Sequence, residues 1–312
     1  MAKVCHTSPM PNTPHPTIII TGPTASGKSD LAISLAKKYG GEIISADSRQ
    51  VYRGMDIGTG KVTKREQRLA PHWLLNVASP KRNYNVTHFV RDAKHAMANI
   101  RKRGKTPIIC GGTGFWIQAL IENSPFPAVK PNLVLRKKLK TYSTENLFKQ
   151  LQKKDSDRAK NIDPKNKVRL IRALEIISVL GKVPRPEKIS QRPSDCLIFA
   201  LNPSKEILWG NIASRLEKRL KQGMVAEVRE LRASGISWKK LESFGLEYKY
   251  IALFLQKKIS REEMKERLEL EIRHYAKRQL TWLRRFEKTH PLEWAETKEV
   301  VLTLVAKKFH LI

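Results

Sequence analysis

The sequence predicts an α/β architecture: a phosphate-loop-type parallel sheet flanked by helices, with a helical insertion domain. Three observations point to it. Gly22-Pro23-Thr24-Ala25-Ser26-Gly27-Lys28-Ser29 matches G-x-x-x-x-G-K-[ST] between an apolar strand signal and an apolar-periodic helix signal, the context that a phosphate-binding loop requires. Strand and helix signals then keep alternating through the first third of the chain, as βαβ units do. Further on, a helical and strongly cationic segment lies between two Pro-rich stretches.

Thr17-Ile18-Ile19-Ile20 reads as the first strand, and the segment from Leu31 to Tyr39 as the first helix. Glu42-Ile43-Ile44-Ser45 reads as a second strand ending in the turn Ala46-Asp47-Ser48. A helix is expected from Asn85 to Arg103, stopping at Gly104. Pro107-Ile108-Ile109-Cys110 is the third expected strand, running into Gly111-Gly112-Thr113-Gly114 and another helix from Phe115. Ligands gather at the carboxyl ends of strands in such sheets, so the loops at Gly22, Asp47 and Gly111 should open on one rim. The Pro-rich break at Ser124–Pro131 leads into a helical stretch from Leu133 to about Leu180, with Arg136, Lys137, Lys138 and Lys140 close together. Lys182–Pro193 is again Pro-punctuated. Cys196–Leu201 reads as a strand returning to the sheet, and Lys205 to about Glu287 as charged helices. The expected organisation is a flexible extension at 1–16, a core over 17–124, a basic insertion over 125–182, and completion of the core over 183–312.

The chain of 312 residues has a formal net charge of +31. A binder of small anions has no need of that many cations, which repel one another in the compact state. Nucleic acid offsets such repulsion through counterion release; an anionic membrane surface is the other candidate. Three cysteines without a C-x-x-C pair argue for a reducing compartment and against a disulfide framework or a zinc site. No apolar run approaches the roughly 20 residues of a membrane span, and Met1–Pro16 lacks signal- and transit-peptide patterns. A cytoplasmic location is expected.

In the Gly22–Ser29 loop, successive N–H groups and a helix N-terminus converge on one anion. Lys28 adds a point charge, and the Ser29 hydroxyl can hold Mg²⁺. The motif implies a polyphosphate without naming it. Asp47, at the end of the second strand, suits three roles: the carboxylate that holds Mg²⁺ in a nucleotide hydrolase, a general base beside the phosphates, or a helix N-cap. The third strand ends in Cys110-Gly111-Gly112-Thr113 where many ATPases place an Asp, which counts against a plain ATP-hydrolysing machine.

Taken in order, several blocks resemble the tRNA dimethylallyltransferases. They are the Gly22–Ser29 loop, Ser45-Ala46-Asp47-Ser48, Gln50 through Thr59, Gly111–Gly114, Arg169-Leu170-Ile171-Arg172-Ala173-Leu174-Glu175 and Tyr275-Ala276-Lys277-Arg278-Gln279-Leu280-Thr281-Trp282. The resemblance covers residues 17 to 285 and is of the bacterial type, without a C-terminal Cys/His zinc finger. It implies transfer of a dimethylallyl group from dimethylallyl diphosphate to N6 of the adenosine 3′ of the anticodon (position 37). The tRNAs would be those reading codons that begin with U, and diphosphate would be released. It further implies that Gly22, Pro23, Thr24, Ala25, Ser26, Gly27, Lys28 and Ser29 cradle the diphosphate with Mg²⁺ at Ser29. Asp47 would be the general base, with Thr24 near the bridging oxygen and Arg215 on the diphosphate. Asp47, Ser48, Arg49, Gln50, Thr113, Val168, Arg169, Leu170, Ile171 and Arg172 would contact tRNA, whose anticodon stem-loop is the expected partner, and the protein would act as a monomer.

Four departures from the family pattern stand out. Ser29 replaces a commoner Thr, Gly60 stands in the usual Gly-Thr-Ala-Lys, Arg219 stands where Met is common, and Phe244–Lys249 departs from Gly-Tyr-Lys-Glu. Arg219 is expected to add charge on a helix, and Trp282 to pack in the core rather than serve as a stacking platform. A small-molecule P-loop kinase would instead predict ATP turnover without RNA, and a noncatalytic RNA-binding protein would have no need for Asp47 in a pocket.

Overall fold

The computed structural model describes residues 16–123, 126–184 and 196–309. They fall into two compact units, one built from the segments up to Glu122 and from Gln191 onward, the other lying between Asn123 and Ser190. The expected insertion, 125–182, falls inside the second. Apart from Pro16, the expected N-terminal extension lies outside the described residues, as does the Pro-punctuated stretch from Arg185 to Ser194.

The first unit is organised by a parallel sheet. β1 (Thr17–Thr21), β2 (Gly41–Ser45), β3 (His72–Trp73), β4 (Thr106–Cys110), β5 (Cys196–Leu201) and β6 (Glu293–Ala295) lie in the order β3-β2-β4-β1-β5-β6. Every neighbouring pair is parallel. β1, β2 and β4 are buried along their whole length, which is why they read as continuous apolar runs rather than alternating ones. Ile18 and Ile19 pair with Ile108 and Ile109 on one side and with Leu197 and Ile198 on the other. The four strands read from the sequence correspond to β1, β2, β4 and β5. β3 and β6, of two and three residues, are too short for any periodicity to reveal.

The helices follow in chain order. α1 (Lys28–Tyr39), α2 (Lys64–Leu69), α3 (Val86–Lys102) and α4 (Gly114–Ile121) belong to the first segment. α1 packs Leu31, Ala32, Leu35 and Ala36 on the sheet residues Ile18, Ile20, Ile43 and Ile108. α3 opens on a reciprocal capping box between Asn85 and His88, a local stop-and-start signal worth about 1 kcal/mol. At the amino end of β2, the buried carboxylate of Glu42 accepts from both terminal nitrogens of Arg103, from Lys105 and from the Trp73 indole. The Arg103 fork holds its carboxyl down at about 2.

The second unit comprises α5 (Leu133–Lys140), α6 (Thr144–Lys154), α7 (Ser156–Lys160) and α8 (Lys167–Leu180). The single helical stretch expected here is broken by side-chain caps at Ser143, Asp155 and Asn166. Leu139, Leu147, Leu151, Leu170, Ile171 and Leu174 form its core. The remaining helices, in the first unit, are α9 (Lys205–Lys221), α10 (Met224–Ala233), α11 (Trp238–Ser243), α12 (Leu246–Leu255), α13 (Arg261–Glu287) and α14 (Lys298–Phe309). α14 lies beyond the helical region that the sequence marks.

One polar cluster organises the second unit. Glu175 is wholly buried on α8 and accepts from Arg136 Nε and one terminal nitrogen at 2.8 Å, from Arg172 at 2.5 Å and from the Asn132 amide at 2.6 Å. Burial alone would raise its carboxyl, but the two guanidinium groups hold it below the ordinary carboxylate range. The cluster gives partners to two cations singled out in the sequence. Arg136 does not belong with the exposed cations Lys137, Lys138 and Lys140, because its fork is committed to Glu175. Arg172, expected to reach RNA, is held by Glu175 and by the Val129 carbonyl at 2.9 Å. Removing one partner of such a pair costs about 3–5 kcal/mol. Glu175→Ala should therefore lower the unfolding midpoint of this unit sharply in a urea titration, whereas Lys137→Ala should leave it unchanged.

Candidate functional site

Three strands end on one rim, and the chain binds their exits together. β1 leaves through the Gly22–Gly27 loop, with Gly22, Ala25 and Gly27 all at positive φ. Gly27 caps α1 without any side-chain bond, so the first amides of the helix keep their donors. β2 exits through Ala46 and Asp47. The Ala46 amide donates to Cys110 O at 2.8 Å, and the Thr113 amide to Ala46 O at 3.2 Å. The Ser48 amide donates to the Thr113 hydroxyl at 3.0 Å. Thr113, expected at the RNA, thus supports the turn that carries Asp47.

α13 completes the rim. The Thr24 amide donates to Gln279 Oε1 at 2.8 Å, and Gln279 Nε2 donates to Gly112 O at 2.9 Å. Both ends of one buried carboxamide are thereby used, joining the phosphate loop to the exit of β4. The fit leaves no room at Gly112, where a Cβ would stand 2.2 Å from that nitrogen. One turn further along α13, Trp282 packs on Gly114 and stacks on Phe286, with ring centroids 4.8 Å apart. Trp282 is half-buried, in a packing role as expected, and the Tyr275–Trp282 block gains a physical account that its sequence did not supply. Arg278 points outward, 59% exposed, over the Tyr275 ring.

The rim encloses a cleft of about 820 Å³, lined by Thr24, Ala25, Ser26, Gly27, Lys28, Ser29, Asp47, Gln50, Arg215, Arg219 and Tyr275 among others. Lys28 Nζ folds back on Pro23 O at 2.5 Å and lies 3.5 Å from Ser26 Oγ. Burial pushes its ammonium down to about 8. Asp47 Oδ1 accepts from the amides of Arg49 at 2.8 Å and Gln50 at 3.3 Å, while Oδ2 accepts nothing among the described residues. Its own loop thus orients the carboxylate with one oxygen to spare. Arg215 comes from α9, which also reaches the loop through Asn211 Nδ2 on Ala25 O at 3.2 Å. Burial, and then the neighbouring Arg219, lower the Arg215 guanidinium to about 10.

Other expected contacts take structural partners. Arg49 Nε donates to Phe244 O at 2.8 Å, and Gln50 bridges Ser45 Oγ and Gly60 O. Gly22 and Pro23 are buried at the start of the loop. Val168 through Arg172 lie on α8 in the other unit. There Val168 and Arg169 are exposed, while Leu170 and Ile171 are core residues whose side chains are withdrawn from solvent. Arg219, expected to add charge on a helix, is buried at 8% exposure.

Sequence reasoning missed two groups. Glu227 on α10 accepts from the amides of Asp56, Ile57 and Gly58 and from the Tyr248 hydroxyl, fixing the turn along one wall of the cleft. Lys61 is buried and donates to Tyr52 O, Asp56 Oδ1 and Asn76 Oδ1, so it is a structural cation. Neither has a sequence signal, because each depends on partners distant in the chain or on loop backbone.

The cleft holds hard oxygen donors suited to a divalent ion shared with phosphate oxygens: the Ser29 hydroxyl with Asp30 and Asp47 nearby on the lining. Mg²⁺ is ordinarily held by only one or two protein oxygens besides phosphate and water, which this set can supply. Among the described residues no group of three or more His, Cys, Asp or Glu forms a metal cage, and no helix is long and apolar enough to cross a membrane.

Residues 50–286 match the family described as IPP transferase. The chain is 42% identical over 286 residues to tRNA dimethylallyltransferase 1 of Syntrophus aciditrophicus, covering 89% of this chain and 93% of that one. It is 43% identical over 278 residues to tRNA dimethylallyltransferase 2 of Treponema denticola, covering 88% and 93%. Among solved structures, the tRNA isopentenylpyrophosphate transferase of Bacillus halodurans superposes with a TM-score of 0.70 at 31% identity, covering 95% of this chain and 97% of that one. A eukaryotic dimethylallyltransferase acting on tRNA superposes with a TM-score of 0.75 at 30% identity, covering 86% and 69%.

The lowered Lys28 sets a pH dependence. In the free protein Lys28 is cationic below about pH 8 and loses its proton above it, whereas a bound polyanion favours the charged form. Pyrophosphate affinity measured by calorimetry should weaken by about tenfold per unit above pH 8, with proton uptake on binding. Lys28→Arg, whose charge persists, should show no such loss, and identical pH profiles for the two proteins would exclude Lys28 as the titrating group.

Proposed function

The chain belongs to the IPP transferase family, and on that footing we propose that it transfers a dimethylallyl group from dimethylallyl diphosphate to tRNA. The acceptor is N6 of adenosine 37, next to the anticodon, in tRNAs reading codons that begin with U. The observation that carries this reading is a single cleft in which phosphate-loop amides and Lys28 face the same space as the Asp47 carboxylate.

The adenine amine is a weak nucleophile because its lone pair is delocalised into the ring. As its N6 attacks C1 of the dimethylallyl group, the C1–oxygen bond breaks and diphosphate leaves with the bonding pair. Lys28, Arg215 and the loop amides stabilise the charge that develops on the leaving oxygens. The Thr24 hydroxyl lies on the same wall. Ser29 would hold Mg²⁺ there, and the ion when bound would add positive charge beside the leaving group. Asp47 takes the N6 proton through the oxygen that its turn leaves unused. To reach the cleft the base must leave its stack. The hydroxyl of Tyr275, raised above its ordinary range by burial and then by Asp47, stays protonated beside that carboxylate. The net charge of +31 suits a polyanionic partner. In the second unit Lys137, Lys138 and Lys140, rather than Arg136, are the cations available to the phosphates of an anticodon stem.

Asp47→Asn keeps an acceptor for the Arg49 and Gln50 amides and removes only the base. Single-turnover transfer, followed by the added isoprenoid mass on tRNA, should slow by roughly 10²–10⁴-fold with pyrophosphate and tRNA affinities near wild type. A rate within threefold of wild type would take Asp47 out of the base role.

A further inference from the structure

Arg219 sits one helical turn after Arg215 on α9, and both line the cleft. It is 8% exposed. One terminal nitrogen donates to Glu247 Oε1 at 3.2 Å. The other is buried and has no hydrogen-bond partner among the described residues. An arginine offers five donors in a fixed fork, and a buried donor on a charged group left unpaired carries a larger penalty than a neutral one. A role limited to pairing Glu247 would not need that second nitrogen held dry at the wall of a phosphate cleft.

The backbone opposite makes room for it. Gly60 lies at φ +60°, and a Cβ there would stand 1.5 Å from the unpaired Arg219 nitrogen and 2.1 Å from a terminal nitrogen of Arg215. Two guanidinium tips therefore converge on one glycine as close neighbours of like charge. The Arg215 side chain makes no hydrogen bond among the described residues, and Glu247 is the carboxylate paired with Arg219. Such an arrangement has an excess of positive charge and of donors, both pointing at the cleft. An anion with several oxygens corrects both, because planar forks match phosphate oxygens in paired hydrogen bonds.

We propose that Arg219 is a substrate-binding residue, a second arginine that grips the diphosphate beside Arg215 in a notch opened by Gly60 and oriented by Glu247. The proposal rests on the reading of the cleft as a diphosphate site. It makes Gly60 and Arg219 a coupled pair, since any side chain at residue 60 would displace the guanidinium from the notch.

Calorimetric titration with inorganic pyrophosphate tests it. Arg219→Met should weaken binding by about ten- to a hundredfold, the range for charge-assisted hydrogen bonds, and flatten its salt dependence. Arg219→Lys, which keeps the charge but not the fork, should fall between that variant and wild type. Gly60→Ala should weaken binding more in the wild-type chain than in Arg219→Met, where Arg215 is the one guanidinium left for the new Cβ to displace. Should Arg219→Met fail to fold because Glu247 is left unpaired, Arg219→Met/Glu247→Gln carries the same expectation. Pyrophosphate affinity within twofold of wild type in a folded Arg219→Met or double variant would overturn the proposal. Lys28→Ala separates the two readings. If it weakens pyrophosphate binding while Arg219→Met does not, only the role of Arg219 fails. If wild type does not bind pyrophosphate, or Lys28→Ala binds as well as wild type, the diphosphate reading fails.

Discussion

One carboxamide sets the geometry of the cleft. Gln279 stands 255 positions from Thr24 in the chain, yet its oxygen takes the Thr24 amide and its nitrogen the Gly112 carbonyl. A phosphate-binding loop is built from strained glycines and unpaired amides, and left alone it would sample many conformations. The Gln279 bridge fixes one of them before any ligand arrives, so binding does not have to supply the ordering. It also has a cost in donors, since the Thr24 amide is no longer free for a phosphate. The backbone bonds among Ala46, Cys110 and Thr113 then bring the Asp47 turn into register with the same frame.

Charge on this frame is arranged against its own solvation. Lys28 and Arg215 are both lowered, chiefly by burial, and Arg219 is lowered by burial against the support of Glu247. Burial disfavours the charged form of cations held in this way and a polyanion entering the cleft favours it, which would tie affinity to the charge of the ligand. The acidic side is spare by comparison. Asp47 faces several cations and keeps one carboxylate oxygen outside the bonds of its loop among the described residues. That imbalance suits a reaction in which negative charge builds on one reactant while a single proton leaves the other.

Much of this was legible in the sequence where the physics is local. The phosphate loop declares itself because its glycine spacing, lysine and flanking strand and helix signals lie within about thirty residues. β1, β2, β4 and β5 are visible as apolar runs because both faces are buried. The roles of Gln279, Glu227 and Glu175 were not legible, since each is fixed by partners brought together only by the fold. Arg136 and Arg172 illustrate the point: in sequence they are two more cations in a basic stretch, and in the structure they neutralise a buried carboxylate. The burial of Arg219 was not legible either, since helical charge is usually solvated and the absence of a side chain at Gly60 lets it turn inward. Gly60 and Arg219, two separate departures in the sequence, become one feature in space.

The most direct test of the account is the pyrophosphate affinity of Gln279→Ala, measured by calorimetry at neutral pH against wild type. Gln279 touches no phosphate in this account and acts only by holding the loop, so an effect on affinity can arise only through the loop's conformation. Loss of two hydrogen bonds to loop backbone should weaken pyrophosphate binding by about tenfold or more, in a protein that still folds cooperatively. An affinity equal to wild type would contradict the account, because the phosphate loop would then hold its shape without the bridge on which the rest of the site is built.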